Sequence, residues 1–413
     1  MRRRDRLPGI LDGMDPVSRL GLSIALILAV AKLGGEVAVR FKQQSVLGEL
    51  LAGVILGAIP LPFFEGLRTD PSIDMLARLG VLILLFEVGL DSTVRDVLQV
   101  GFASARVALL GTGGTLLAGW AASAIAMPTS STLVHLFVAA AITATSIGIS
   151  ARVLRDAGAG RSREAHTILS AAMLDDVLGL VALAIATATV TRSAQGGATS
   201  PRTIVWLVVK TVGFLAVAIV TGMKVSPLLF RLTARLRASG ALLATGLCFC
   251  FVLAWATSAI GLAPIVGAFT AGLILDESHS ARFVERGEPS LSNRMEPISS
   301  WLVPIFFVLM GMRSDFIAVA QPRTLLLTAL LSVAAVVGKL ACALGAPRGS
   351  NRLAIAFGMI PRGEVSLVFA TLGLSTGLLN PGQYSALVAV VIVTAIVTPA
   401  ALRGRLQSSV PAA

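Results

Sequence analysis

Long apolar stretches recur along the chain, each bounded by charges, glycine or proline, with short polar connectors between them. Their spacing predicts about thirteen helices, because a bilayer core roughly 30 Å thick needs about 20 apolar residues per crossing. The predicted spans lie near 17–38, 46–60, 73–91, 100–127, 132–154, 163–190, 203–223, 240–260, 264–276, 297–313, 323–346, 351–376 and 382–402. The second and ninth are short for a full crossing and read as tilted, interfacial or continuous with a neighbour.

Composition agrees with this pattern: 55% of the 413 residues are hydrophobic and 14% charged. A water-soluble core cannot absorb so much apolar surface, and the expected organisation is a basic tail over 1–16 followed by membrane domain over 17–413, with no regulatory soluble domain. The net charge of +12 is scattered through connectors rather than gathered in one run with aromatics, which argues against a nucleic-acid partner. Cys248, Cys250 and Cys342 fall inside apolar spans without zinc or redox spacing and read as packing residues.

The connectors also set an expected orientation. One side carries Arg40, Lys42, Arg95, Arg152, Arg155, Arg161, Arg163, Lys224, Arg231, Arg235, Arg237, Arg282, Arg286, Arg294, Arg348, Arg352, Arg403 and Arg405, and the other only Arg68, Arg192, Arg202, Arg313 and Arg323. The richer side is expected in the cytoplasm, with the carboxyl terminus inside and the amino terminus outside a plasma (inner) membrane. Arg2, Arg3, Arg4 and Arg6 run against an exported tail; Met14 is an alternative start.

An internal repeat is visible. Leu51-Ala52-Gly53-Val54-Ile55-Leu56 returns as Thr270-Ala271-Gly272-Leu273-Ile274-Leu275, and Phe86-Glu87-Val88-Gly89-Leu90-Asp91 is echoed by Val308-Leu309-Met310-Gly311-Met312-Arg313. Seven predicted helices separate the copies, an odd number, so the halves over 17–190 and 240–402 are expected to run in opposite senses, joined by a linker helix at 203–223.

Charge inside the apolar spans carries the functional signal. Asp175 and Asp176 fall near the middle of the sixth span, where one charge costs on the order of 3 kcal/mol. A structural ion pair would explain one aspartate beside a lysine, such as Lys339 in the eleventh span, but not two adjacent ones. Neighbours on a helix project about 100° apart, so one carboxylate can stay on a lysine while the other exchanges a proton for a cation.

A small hard cation needs further oxygen ligands, which an intact helix does not offer. Thr143 to Ser150 is rich in hydroxyls, with Thr145 and Ser146 the candidate ligands, and Gly358-Met359-Ile360-Pro361-Arg362-Gly363-Glu364 carries a proline that disrupts its helix. Both stretches are expected to be non-helical and within reach of Asp176. Arg362 and Glu364 are expected to satisfy loose helix ends or nearby carboxylates; Glu87 is either a proton-path residue or a carboxylate tied to a basic partner such as Arg362. Glu49 is expected to snorkel at a helix end, and His135, His166 and His279 to lie at the surface.

At these residues the chain resembles the monovalent cation:proton antiporter superfamily, in its second branch of bacterial sodium:proton exchangers and Kef-type potassium systems. The similar segments are Leu47 to Gly53, Leu84 to Leu90, Thr143 to Ser150, Asp175-Asp176, Pro304-Ile305-Phe306-Phe307 with Gly311, and Pro361 to Glu364. The resemblance implies an all-α membrane fold with two inverted repeats, a panel used for homodimerisation and a mobile core with crossed, partly unwound helices. It implies that Asp176 binds the transported cation and carries a proton, and that Asp175 pairs with Lys339. It also implies Na⁺ exchanged for H⁺ by alternating access, electrogenic because both acids are aspartates, with no cofactor and no enzymatic activity. Ala58 stands where a proline usually follows the Gly57 position, and no Kef-type nucleotide-binding domain is expected.

Rival classes fare less well. An aspartyl protease needs carboxylates from separate helices sharing one proton, and a channel does not need a titratable pair. The remaining alternatives are electroneutral or K⁺-selective exchange, Li⁺ as substrate, and a sodium-coupled carrier of organic solutes on a similar fold.

Overall fold

A computed structural model describes residues 15–91, 101–160, 162–194, 201–233, 235, 240–275 and 289–407. The basic tail with Met14, and Arg95, Arg161, Arg237, Arg282, Arg286 and His279, lie outside them, as do the side chains of Arg192 and Arg202. The described residues form helices α1 (Pro16–Arg40), α2 (Ser45–Ala58), α3 (Pro62–Thr69), α4 (Pro71–Leu90), α5 (Phe102–Ala126), α6 (Thr132–Ala141), α7 (Ile147–Asp156), α8 (Arg163–Ala194) and α9 (Pro201–Thr233). They continue as α10 (Ala241–Ala259), α11 (Pro264–Ile274), α12 (Leu291–Arg313), α13 (Phe316–Val319), α14 (Pro322–Leu340), α15 (Cys342–Gly345), α16 (Arg352–Gly358), α17 (Glu364–Ser375) and α18 (Pro381–Gln407). Among the described residues eight helices are long and apolar enough to cross a membrane, and α2, α6, α11 and α17 are shorter apolar helices. The protein is an all-helical, multi-pass membrane protein.

Helix starts follow local chemistry. Pro16, Pro62, Pro264 and Pro322 stand at first helical positions, where a missing N–H costs nothing. Asp15 caps α1 by accepting from the Val17 and Ser18 amides. Two expected boundaries shift. α12 starts at Leu291, ahead of Pro297, because Leu291 and Met295 bury their side chains there. α9 runs to Thr233, past the expected end at 223 and through Pro227, with Phe230 buried on the added turns.

Two compact units divide the chain: residues 1–84 with 296–317, and 85–295 with 318–413. In the first unit a methyl group at Gly53 would strike the Val308 carbonyl, and one at Gly311 would strike the Leu50 carbonyl. Helix backbones therefore touch at glycine, the contact by which helices hold together where lipid removes the hydrophobic drive. The same unit holds the Asp74–Arg313 ion pair at 2.6 Å. It also buries Glu49, which accepts from the Ser45 hydroxyl at 3.0 Å. Snorkelling is therefore not what Glu49 does, because the Gly34–Gly48 approach seats α2 deep against α1.

In the second unit the arrangement recurs with the motifs exchanged. Gly272 of α11 lies on the Phe86 carbonyl of α4, and Gly89 on the Phe269 carbonyl. His135 is also buried here, its Nδ1 2.8 Å from the Ser123 hydroxyl, rather than at the surface. The α5 end, terminating at Ala126, and the α6 start, at Thr132, fold back on each other and enclose it. His166 is exposed as expected. Large apolar side chains left exposed, such as Val205, Trp206 and Val217 on α9, face what hydrocarbon rather than water would solvate.

Candidate functional site

The fifth and twelfth predicted spans are each two half-helices. α6 stops at Ala141 and α7 starts at Ile147; α16 stops at Gly358 and α17 starts at Glu364. The non-helical stretches are therefore shorter than expected, since Ile147 to Ser150 are already helical. In the second break Pro361 offers no N–H, and the Arg362 amide turns to the Thr394 hydroxyl on α18 at 3.3 Å. In the first, a run of hydroxyl residues competes with the helical ladder: Thr143 Oγ1 donates to the Ala140 carbonyl, and the Ser146 amide leaves its own helix.

The two breaks bond to each other. The Ser146 amide donates to the Pro361 carbonyl at 2.8 Å, Thr145 Oγ1 to the Met359 carbonyl at 2.9 Å, and Ser150 Oγ to the Gly358 carbonyl at 2.6 Å. Gly363 makes this crossing possible, because a methyl group there would lie 2.8 Å from Ser146 Cβ. Glu364 accepts from Ser146 Oγ at 3.4 Å.

Arg362 is fully buried and donates to the carbonyls of Met359, Ile360 and Ala335 at 2.8–3.1 Å. It satisfies loose helix ends, one of its two expected uses. A guanidinium suits this task, with five donors in a rigid planar fork. Glu87 sits half-buried on α4 and has polar or electrostatic company of its own.

α8 carries the aspartates past the first break. One turn beyond them Gly179 faces Ala144, where a methyl group would lie 3.1 Å from the Ala144 Cβ, and the same face meets Val365 of α17. Asp175 and Asp176 are both buried, 1% and 2% exposed. Their surroundings differ completely. Asp175 Oδ2 takes the Lys339 ammonium at 2.7 Å and Asp175 Oδ1 the Thr112 hydroxyl at 2.5 Å. Neither oxygen of Asp176 has a hydrogen-bond partner among the described residues. The charges that act on Asp176 are those of Glu364, Asp175 and Lys339.

Sequence reasoning missed Thr112 and the packing that delivers it. α5 and α14 approach at Gly114 and Gly338, where a methyl on Gly338 would meet the Thr115 backbone, and Gly111 lies along the Lys339 side chain. The signal was present in the run Gly111-Thr112-Gly113-Gly114-Thr115, a dense set of small residues of the sort that lets membrane helices touch. Thr394 and Gly179 were also unforeseen.

An unpartnered carboxylate at the depth of Asp176 is not explained as a structural ion pair; burial without a partner costs several kcal/mol unless the group is neutralised by a proton or a cation. No group of three His, Cys, Asp or Glu side chains suited to a resident metal occurs among the described residues. The arrangement offers one bare carboxylate, helix ends and hydroxyl oxygens.

Fold and site define a multi-pass membrane protein with a buried acid at two crossed helix breaks. A family model described as sodium/hydrogen exchanger, transmembrane, matches residues 24–406, and the chain belongs to that family. It is 35% identical to the High-affinity Na⁺/H⁺ antiporter NhaS3 of Synechocystis sp., over 92% of this chain and 88% of that one. It is 34% identical to the Na⁺/H⁺-K⁺ antiporter GerN of Bacillus cereus, over 92% and 94%. The fold is shared with the sodium proton antiporter MjNhaP1 of Methanocaldococcus jannaschii, at a TM-score of 0.69 and 17% identity, covering 95% of this chain and 99% of that one.

Proposed function

We propose that the protein is a secondary transporter exchanging Na⁺ for H⁺ by alternating access, with Asp176 as the acid that holds either the cation or a proton. The observation that carries this reading is the contrast between two adjacent buried aspartates, one with both oxygens engaged and one with both oxygens bare among the described residues. A carboxylate in low dielectric binds one positive charge at a time, so occupation by Na⁺ and by H⁺ excludes one another. Thr145 and Ser146 donate their hydroxyl protons elsewhere, which leaves their lone pairs as ligands. Lys339 is the charge partner of Asp175; Arg362, Glu364 and Glu87 support the crossing.

The relative GerN, a Na⁺/H⁺-K⁺ antiporter, favours a second reading in which K⁺ is also carried. The exchanged glycine contacts, Gly53 with α12 and Gly272 with α4, support two repeats, because in each unit the same two motifs, one from each half of the chain, meet at glycine. A homodimer in the plasma membrane, with the carboxyl terminus in the cytoplasm, completes the reading.

We further infer that exchange is electrogenic. Cation arrival at Asp176 shifts the balance at the Asp175–Lys339 pair, and Lys339 gives up a second proton, so two protons cross for one Na⁺. The test is transport in proteoliposomes with Na⁺, Li⁺ and K⁺ supplied separately against an internal pH dye, with the membrane potential clamped. Na⁺-driven proton flux that responds to the potential is the expected result. Absence of any cation-driven flux would overturn the exchange reading, and flux indifferent to potential would move it to electroneutral exchange.

A further inference from the structure

Thr112 behaves unlike most threonines of the apolar helices. Thr167, Thr189, Thr245, Thr257, Thr270, Thr328 and Thr371 all return their hydroxyl proton to a carbonyl four residues back in their own helix. That bond is always at hand, which is why threonine tolerates a membrane helix. Thr112 instead donates across to Asp175 Oδ1, while Lys339 holds Oδ2. The fit is built by neighbouring positions. Gly111 accommodates the Lys339 side chain, and Gly114 and Gly338 let α5 and α14 close to backbone contact.

Both oxygens of Asp175 are therefore held by donors on two other helices, and both oxygens of Asp176 are bare among the described residues. Lys339 alone would fix one oxygen and leave the carboxylate free to turn the other toward the cation on Asp176. We propose that Thr112 is a positioning residue that tethers Asp175 out of the cation's coordination shell, reserving Asp176 as the single carboxylate ligand and thereby setting ion selectivity. The proposal rests on the exchange reading above. A second carboxylate in the shell would raise the field at the site, and Coulomb attraction grows as the cation gets smaller, so the gain is greater for Li⁺ than for Na⁺. It would also hold the ion longer and slow turnover.

The test compares wild type with Thr112→Val and Thr112→Ser in proteoliposomes, reading the apparent KM for Na⁺ and Li⁺ and the maximal rate. The valine variant, having lost a hydrogen bond to a charged group, should show an apparent Na⁺ KM lower by about fivefold or more, a larger fall for Li⁺, and a reduced maximal rate. The serine variant should restore all three. A Thr112→Val protein whose Li⁺:Na⁺ KM ratio stays at the wild-type value, whatever its rate, would overturn the tether, because a merely structural role slows both ions alike. Thr112→Ala, with no bulk to misplace, gives the same readout if the valine variant is not recovered folded. Wild-type vesicles without Na⁺-driven proton flux would instead sink the exchange reading. In that event Na⁺ and Li⁺ protection of the purified proteins against heat reads the tether directly, and equal protection ratios in wild type and variant would overturn it.

Discussion

The two helix breaks do different work with similar geometry. The break before α17 is fastened on all sides: Arg362 supplies its carbonyls with donors, Thr394 takes its loose amide, and Thr145 and Ser150 reach in from the other chain segment. The break before α7 does the reaching, and lies where α8 brings Asp175 and Asp176 alongside. One break is a buttress and the other is the working face. The asymmetry teaches that two matched breaks need not share the work: one is held by donors from Arg362, while the other supplies the hydroxyls that reach across.

The largest expected effect follows from removing that charge. Asp176→Asn can neither neutralise a cation nor carry a proton, so Na⁺-driven proton flux should vanish while the protein remains folded by size-exclusion and thermal profile. Measurable exchange in that variant would break the assignment of roles. Asp175→Asn strips Lys339 of its anion in a fully buried place, and should cost about 3–5 kcal/mol in stability, read as a lowered melting midpoint. An unchanged midpoint would mean that Lys339 is not held as an ammonium ion.

The buttress is tested through stability rather than transport. Arg362→Leu removes three donors at once and should destabilise by about 3 kcal/mol or more. Thr145→Val, on the working face, should cost only about 1–2 kcal/mol while weakening the apparent Na⁺ affinity. If Thr145→Val proved as destabilising as Arg362→Leu with Na⁺ affinity intact, the division of labour would fail. Smallest of all, Thr394→Val should cost about 1 kcal/mol with transport retained, since the Arg362 amide loses one neutral acceptor.

Much of this was readable from the chain. Pro361 announces a broken helix because its nitrogen has no proton to give, and two adjacent aspartates in an apolar span admit few structural explanations. The first break was readable only through its hydroxyls, and its extent was overestimated, since Ile147 to Ser150 resume helix once the Ser146 amide has found Pro361. Thr394 was silent, and around Thr112 the run of small residues marks a close helix approach but not the bond that the threonine makes across it. A threonine in an apolar helix ordinarily satisfies itself, and nothing local distinguishes one that bonds across. Glu49 and His135 were misjudged for a related reason: their depth is set by the partner that closes over them, and hydropathy along one strand of sequence carries no information about that partner.

The glycine contacts of the first unit have a consequence for how the protein is made. Gly53 rests against the Val308 carbonyl and Gly311 against the Leu50 carbonyl, so α2, already against α1, meets its second neighbour only when α12 has left the ribosome. At 5–20 residues per second that neighbour arrives roughly 13 to 50 s later. For the whole of that interval the notch at Gly53 has no α12 to fill it, and the nascent chain must be kept from closing on a wrong helix. An amino-terminal fragment ending before α12 should therefore be a target for membrane quality-control proteases.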